Sequence, residues 1–220
     1  MHRQLLKRLF FRFLKPIADW YFSSARWYSY NGVKVRVNPG VFFPHLTIST
    51  KVFLDYLSMS SQKLSTLSVL ELGAGCGIMS FYCAKMGANV TASDVSELAI
   101  ENLRQNQQRL QLDVEVVHSD LFDSLSGQFD RVLINPPYYP KNPTTEAEKA
   151  WYCGEEFQYF KNLTQQLKAH LNNDGFALMI LSEDCEIETI KRLFEEGEIV
   201  IEEVFSTVKF GERNFIFKLH

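Results

Sequence analysis

The sequence predicts an α/β fold built on a doubly wound, mostly parallel sheet, and three observations carry that reading. An apolar strand, Ser68-Val69-Leu70-Glu71-Leu72, breaks into the alternate glycines Gly73, Gly75 and Gly77 just before a helix beginning near Ile78. Strand-like and helix-like segments then alternate, as they do when crossover helices join parallel strands. A second apolar run, Val132-Leu133-Ile134, stops at Asn135-Pro136-Pro137-Tyr138, because proline cannot continue a ladder.

The totals bound the answer. The 220 residues are enough for one sizeable core, 46% hydrophobic and 22% charged is ordinary globular composition, and no apolar run approaches a membrane span. Cys76, Cys83, Cys153 and Cys185 are scattered with no C-x-x-C pair, so neither a zinc site nor a disulfide framework is expected, and a reducing cytoplasm suits them. Net charge is −3 but uneven: residues 1–36 hold eight Lys or Arg against Asp19 alone. That asymmetry points to a solvated helix face or to an acidic partner such as a ribosome, RNA or membrane surface.

In chain order, Leu5, Leu6, Leu9, Phe10, Phe13, Leu14 and Ile17 recur at helical spacing opposite basic residues, which predicts a basic amphipathic helix without stable membrane insertion. Asn31-Gly32 between 26–30 and 33–37 predicts a hairpin with a type I′ turn. Together these make an N-terminal unit over 1–37, ahead of a main domain over 38–220. A short helix over Thr50 to Leu57 presents Val52, Phe53, Tyr56 and Leu57 to the core. The first crossover helix runs from Ile78 to Lys85 and is capped by Gly87; Asn89 to Asp94 is the next strand, and Ser96 caps a helix to about Leu110. Val114 to His118 is a third strand, followed by Ser119-Asp120-Leu121-Phe122, and Asp130 to Asn135 is a fourth. A long polar connection over 139–156 precedes a helix marked by Phe157, Phe160, Leu163, Leu167 and Leu171. Asp174-Gly175 turns into a fifth strand, Phe176 to Leu181; a helix with Ile187, Ile190, Leu193 and Phe194 follows, and Ile199 to Val208 pairs with Asn214 to Leu219.

In a doubly wound sheet the fourth strand ends beside the glycine turn, which is where such sheets bind ligands. The glycine spacing is neither that of dinucleotide sites nor a P-loop. Asp94, about twenty residues beyond the turn, is placed to accept from ribose hydroxyls, whether the adenosine belongs to a dinucleotide or to another cofactor. The two prolines force Asn135 and Pro136 to be extended. An Asn oxygen, a free proline carbonyl and an aromatic face then make an acceptor array for a planar N–H group, an amide or the exocyclic amine of a base.

Glu71, the G-x-G-x-G turn and Asn135-Pro136-Pro137-Tyr138 together resemble the class I S-adenosylmethionine-dependent methyltransferases, over roughly residues 37–219. The Asn-Pro-Pro-Tyr form is similar to the branch that methylates planar nitrogens: glutamine N5 in HemK-type release-factor enzymes, or adenine N6 and guanine N2 in nucleic acids. The resemblance implies a Rossmann-like, seven-stranded sheet with one antiparallel member. It implies that Thr50, Glu71, Gly73, Ala74, Gly75, Gly77, Asp94, Val95, Asp120, Leu121 and Asn135 hold S-adenosylmethionine, with Asp120 on the adenine amino group. Asn135, Pro136, Pro137 and Tyr138 would position the acceptor nitrogen, and Phe43, Pro44, Tyr138 and Trp151 would line the substrate channel. Ile48 and Ser49 stand where HemK-type chains usually carry an acid. The short build, the Ala150-Trp151-x-x-Gly154 segment and the Gly211-Glu212 turn resemble the compact HemK-type branch, so a protein glutamine, as in a release factor, is the expected acceptor. A nucleic-acid base is the alternative, and a binding module or NAD-dependent oxidoreductase a more distant one.

Overall fold

The structure, a computed structural model, describes residues 23–59 and 64–220. The basic amphipathic helix expected near the N-terminus falls outside the described residues. Strands β1 (Arg26–Tyr30) and β2 (Val33–Val37) form the expected antiparallel hairpin. Asn31 (φ 42°) and Gly32 (φ 76°) both take the positive φ that a type I′ turn demands. Helix α1 (Ser49–Met59) is followed by β3 (Ser68–Leu72), α2 (Ile78–Lys85), β4 (Asn89–Asp94), α3 (Glu97–Leu110), β5 (Val114–His118) and β6 (Phe129–Ile134). The chain closes with α4 (Gln158–Gln166), β7 (Leu171–Ser182), α5 (Ile187–Glu196), β8 (Ile201–Lys209) and β9 (Glu212–Leu219).

Strands β3 to β9 form one sheet in the order β5-β4-β3-β6-β7-β9-β8, in which β9 runs antiparallel to both its neighbours. The winding reverses between β3 and β6, so the crevice at the carboxyl ends of those two strands is the switch point. Alternation along each buried strand feeds two cores. Leu133 joins Phe53, Leu54, Phe81 and Leu103 under α1, α2 and α3, while Val132 and Ile134 join Phe160, Leu163, Ile190 and Phe194 under α4 and α5. The hairpin is continuous with the first core, because Tyr28, Val33, Val35 and Val37 pack into it.

Two expected boundaries are corrected. Leu171 begins β7 instead of ending a helix, since α4 gives way to a 3-10 turn over Leu167–His170. Asp174-Gly175 does not turn into a new strand; it lies in a bulge within β7, where the partners of Phe129 and Arg131 are Leu171 and Phe176. Glycine is needed at 175 because a Cβ there would stand 2.6 Å from the Phe129 carbonyl oxygen. Among the described residues no helix is long and apolar enough to cross a membrane.

Candidate functional site

The carboxyl ends of β3, β4, β5 and β6 open into a cavity of about 390 Å³, roofed by residues 40–50 on one side and 142–162 on the other. Its floor is the glycine turn. Gly73 and Gly75 have φ of +68° and +55°, and nothing stands within 4 Å of where a side chain would begin on either, so a ligand can lie directly against the backbone. Gly77 plays a different part: it does not line the cavity, and a Cβ on it would strike Leu103 at 2.5 Å, so its smallness serves packing at the start of α2.

Two acids brace this turn from below. Asp94, at the end of β4, accepts from the Gly75 N–H (2.8 Å) and the Ser96 N–H (2.9 Å), which fixes its carboxylate at the cavity wall. Burial raises its pKa against those bonds. Glu71, almost wholly buried in β3, takes two hydrogen bonds on Oε2, from the Ser80 N–H at 2.7 Å and from the Ser80 hydroxyl. Burial pushes its pKa up to about 8, with the Asp94 charge adding to the effect and the Ser80 bonds opposing it. Burial thus favours the protonated form of Glu71 in the floor of the cavity.

Asn135 leaves the end of β6 half-buried, and its Nδ2 donates to Thr50 Oγ1 on α1 at 3.3 Å. That bond commits the amide nitrogen to the protein. The oxygen side of the amide is then available to a ligand. Pro136 and Pro137 follow on the cavity wall, and among the described residues nothing donates to the Pro136 carbonyl. Tyr138 is 8% exposed, with its ring edge-on to Tyr139 at 4.8 Å, so it offers the cavity a rigid margin and not a free face.

The structure brings Pro44, Thr50, Glu71, Gly73, Ala74, Gly75, Asp94, Val95, Asp120, Leu121, Asn135, Pro136, Pro137, Tyr138 and Trp151 onto one cavity. It does not bring Phe43 there. Phe43 turns into the core against His45, and Phe42 takes the cavity side, with its ring 5.1 Å from Trp151 at 63°. This edge contact joins the two roof segments, and the Tyr139 to Tyr152 bridge stiffens the second of them. Sequence reasoning also missed Tyr159 and Asn162. The apolar face of α4, Phe160 and Leu163, was legible; Asn162 lies off that face and Tyr159 at its margin, packed against the same core, and both line the cavity with Asp120. Burial and the Asp120 and Asp94 charges raise the Tyr159 phenol pKa, which keeps it a neutral donor.

A family model, the methyltransferase small domain, matches residues 32–219. A Methanocaldococcus jannaschii protein provisionally named a protein N5-glutamine methyltransferase is 34% identical over 119 residues, 54% of this chain and 56% of its own. The ribosomal RNA small subunit methyltransferase C of Haemophilus influenzae is 31% identical over 140 residues, covering 62% of this chain and 38% of its own. The release factor glutamine methyltransferase of Lactococcus lactis is 25% identical over 178 residues, 80% of this chain and 60% of its own. The chain thus spans 38–60% of the length of these relatives. Among solved structures, a T. thermophilus 16S rRNA guanine-N2 methyltransferase bound to S-adenosylmethionine and guanosine shares the fold with a TM-score of 0.64 at 21% identity, over 88% of this chain and 49% of that one. An E. cuniculi complex responsible for methylating a translation termination factor gives 0.62 at 20% identity, over 82% and 98%.

Proposed function

Because the chain belongs to the methyltransferase small-domain family, within the class I S-adenosylmethionine-dependent methyltransferases, we propose that it methylates a planar amide or amine nitrogen, with a protein glutamine as the acceptor. The observation that carries this reading is the Asn135 to Thr50 bond, which ties the nitrogen end of a half-buried amide to the protein and leaves its oxygen without a partner, next to a Pro136 carbonyl to which nothing donates among the described residues, both residues lining the cavity. Two acceptors so placed match the two N–H hydrogens of a primary amide. An amide nitrogen is a weak nucleophile because its lone pair is delocalised. Accepting both its hydrogens holds the group in one orientation and favours electron density on the nitrogen as it reacts.

The cavity fits the cofactor on this chain's own geometry. Gly73 and Gly75 present bare backbone, Asp94 holds a fixed carboxylate where ribose hydroxyls would lie, and Asp120, Leu121 and Tyr159 wall the adjoining end. S-adenosylmethionine, when bound, supplies a methyl group already activated on a sulfonium. The remaining work belongs to the protein: Asn135 and Pro136 orient the acceptor, and Phe42 and Trp151 keep water from it.

A nucleic-acid base is the second reading, favoured by the aromatic pair Phe42 and Trp151 at the cavity roof, against which a planar ring could lie. Offering the enzyme radiolabelled S-adenosylmethionine with a release factor, a ribosomal protein, and unmodified tRNA and rRNA separates the two. Label in a protein glutamine is expected. Label confined to RNA would replace that acceptor with a base.

A further inference from the structure

The outward face of the β1–β2 hairpin is built from alternate residues of each strand: Trp27, Lys34 and Arg36 point out while Tyr28, Val33, Val35 and Val37 point into the core. Trp27 is 49% exposed and stands opposite Arg36 in the ladder. Lys34 Nζ lies 4.8 Å from its ring centroid, and Arg109 Cζ, reaching over from the end of α3, lies 4.7 Å from it. The Arg109 guanidinium is held in place, for Nη2 donates to the Lys34 carbonyl at 2.7 Å and to Asn106 Oδ1 at 2.9 Å. Among the described residues none of these three cations meets a carboxylate. Like charges gathered without an anion repel one another, and an arriving polyanion would relieve that cost.

We propose that this hairpin–helix face docks the backbone of single-stranded RNA, with Lys34, Arg36 and Arg109 taking phosphates and the exposed part of the Trp27 indole, beyond the area under Lys34 and Arg109, meeting an unpaired base. An acidic peptide would use the charges but not the exposed indole, whereas a nucleotide strand uses both. The described segment 23–54, which carries the hairpin, holds Arg26, Lys34, Arg36 and Lys51 and no acid. The face is rigidly tied to the cavity. Asn102 and Asn106, both fully buried, donate to the Arg36 carbonyl at 2.7 and 2.8 Å, and Asn106 also donates to the Cys76 carbonyl in the glycine turn at 3.0 Å. Helix α3 runs from Ser96 on the cavity wall to Arg109, roughly 20 Å at 1.5 Å per residue, a span a few nucleotides can bridge. The inference goes beyond the reading of the site and does not depend on which nitrogen is methylated.

The test is anisotropy of a labelled 15-nucleotide single-stranded RNA with the full chain across a sodium chloride series, beside calorimetric S-adenosylmethionine binding. Lys34→Gln/Arg36→Gln should weaken RNA binding at least 10-fold at low salt and flatten the log–log salt slope by about 1.4, since each phosphate contact on a single strand contributes about 0.7. S-adenosylmethionine affinity should stay unchanged. Full RNA affinity and an unchanged slope in that variant overturn the proposal, and so does displacement of the RNA by poly-glutamate at equal charge concentration. Should the double variant also lose cofactor binding, the tryptophan signal decides: RNA should quench fluorescence in wild type and in Lys34→Gln but much less in Trp27→Phe. Equal quenching in Trp27→Phe would contradict the docking surface.

Discussion

Among single residues, Thr50 and Glu71 bear most directly on the site. Thr50→Val keeps the shape of α1 and removes the acceptor that holds the Asn135 amide. Losing one such hydrogen bond is worth about 0.5–1.5 kcal/mol, so methyl transfer should slow by roughly 2- to 10-fold with little change in cofactor affinity. Single-turnover rates beside calorimetry check this. Glu71 gives a pH signature. Its folded pKa, about 8, lies above the ordinary carboxylate value of 4.5. Between those pH values the folded state holds a proton the unfolded chain has released, so stability falls as pH rises through that window, by at most about 1.4 kcal/mol per pH unit from this group. Urea midpoints from pH 5 to 8 should decline in wild type and decline less in Glu71→Gln, whose amide oxygen can still accept from Ser80. Equal slopes would show that Glu71 is ionised in the folded protein.

Among the elements, the two roof segments matter most, because the Phe42 and Trp151 rings are in direct aromatic contact between them. An edge-to-face pair contributes about 0.5–1.5 kcal/mol, so Phe42→Ala should release bound S-adenosylhomocysteine roughly 2- to 10-fold faster without a change in melting temperature above a few degrees. Stopped-flow displacement measures this directly, and an unchanged release rate would mean the contact does not close the cavity. The elements themselves were largely legible in the sequence, since β3, β4, β5, α2 and α3 carry strong local signals: glycine turns, a Ser96 cap and alternating apolar runs. Two things were not. The side from which Phe42 or Phe43 faces the cavity depends on how the 40–47 segment lies across the sheet ends, which two adjacent phenylalanines do not encode. The bulge at Asp174-Gly175 follows the same logic, because a turn and a bulge use the same residues and differ only in what the neighbouring strand does. Tyr159 and Asn162 carried no signal, since Tyr159 at the margin of the apolar face reads as ordinary core and Asn162 off it reads as solvated, whether or not either meets a cavity.

For the whole molecule, the winding of the sheet does the assembling. Reversal between β3 and β6 sets the glycine turn beside Asn135, although some sixty residues separate them, and α1 completes the arrangement by placing Thr50 on the Asn135 amide. The cofactor end and the acceptor end of the cavity therefore rest on different strands and should be separable by mutation. The measurement that tests the central claim most directly is Asn135→Ala in a paired assay of S-adenosylmethionine binding and methyl transfer to the identified acceptor. Cofactor binding should stay near wild type, since Gly73, Gly75 and Asp94 are untouched. The transfer rate should fall about 10²–10³-fold, as expected when one oriented partner of the reacting group is removed. Full transfer activity in Asn135→Ala would contradict the amide clamp.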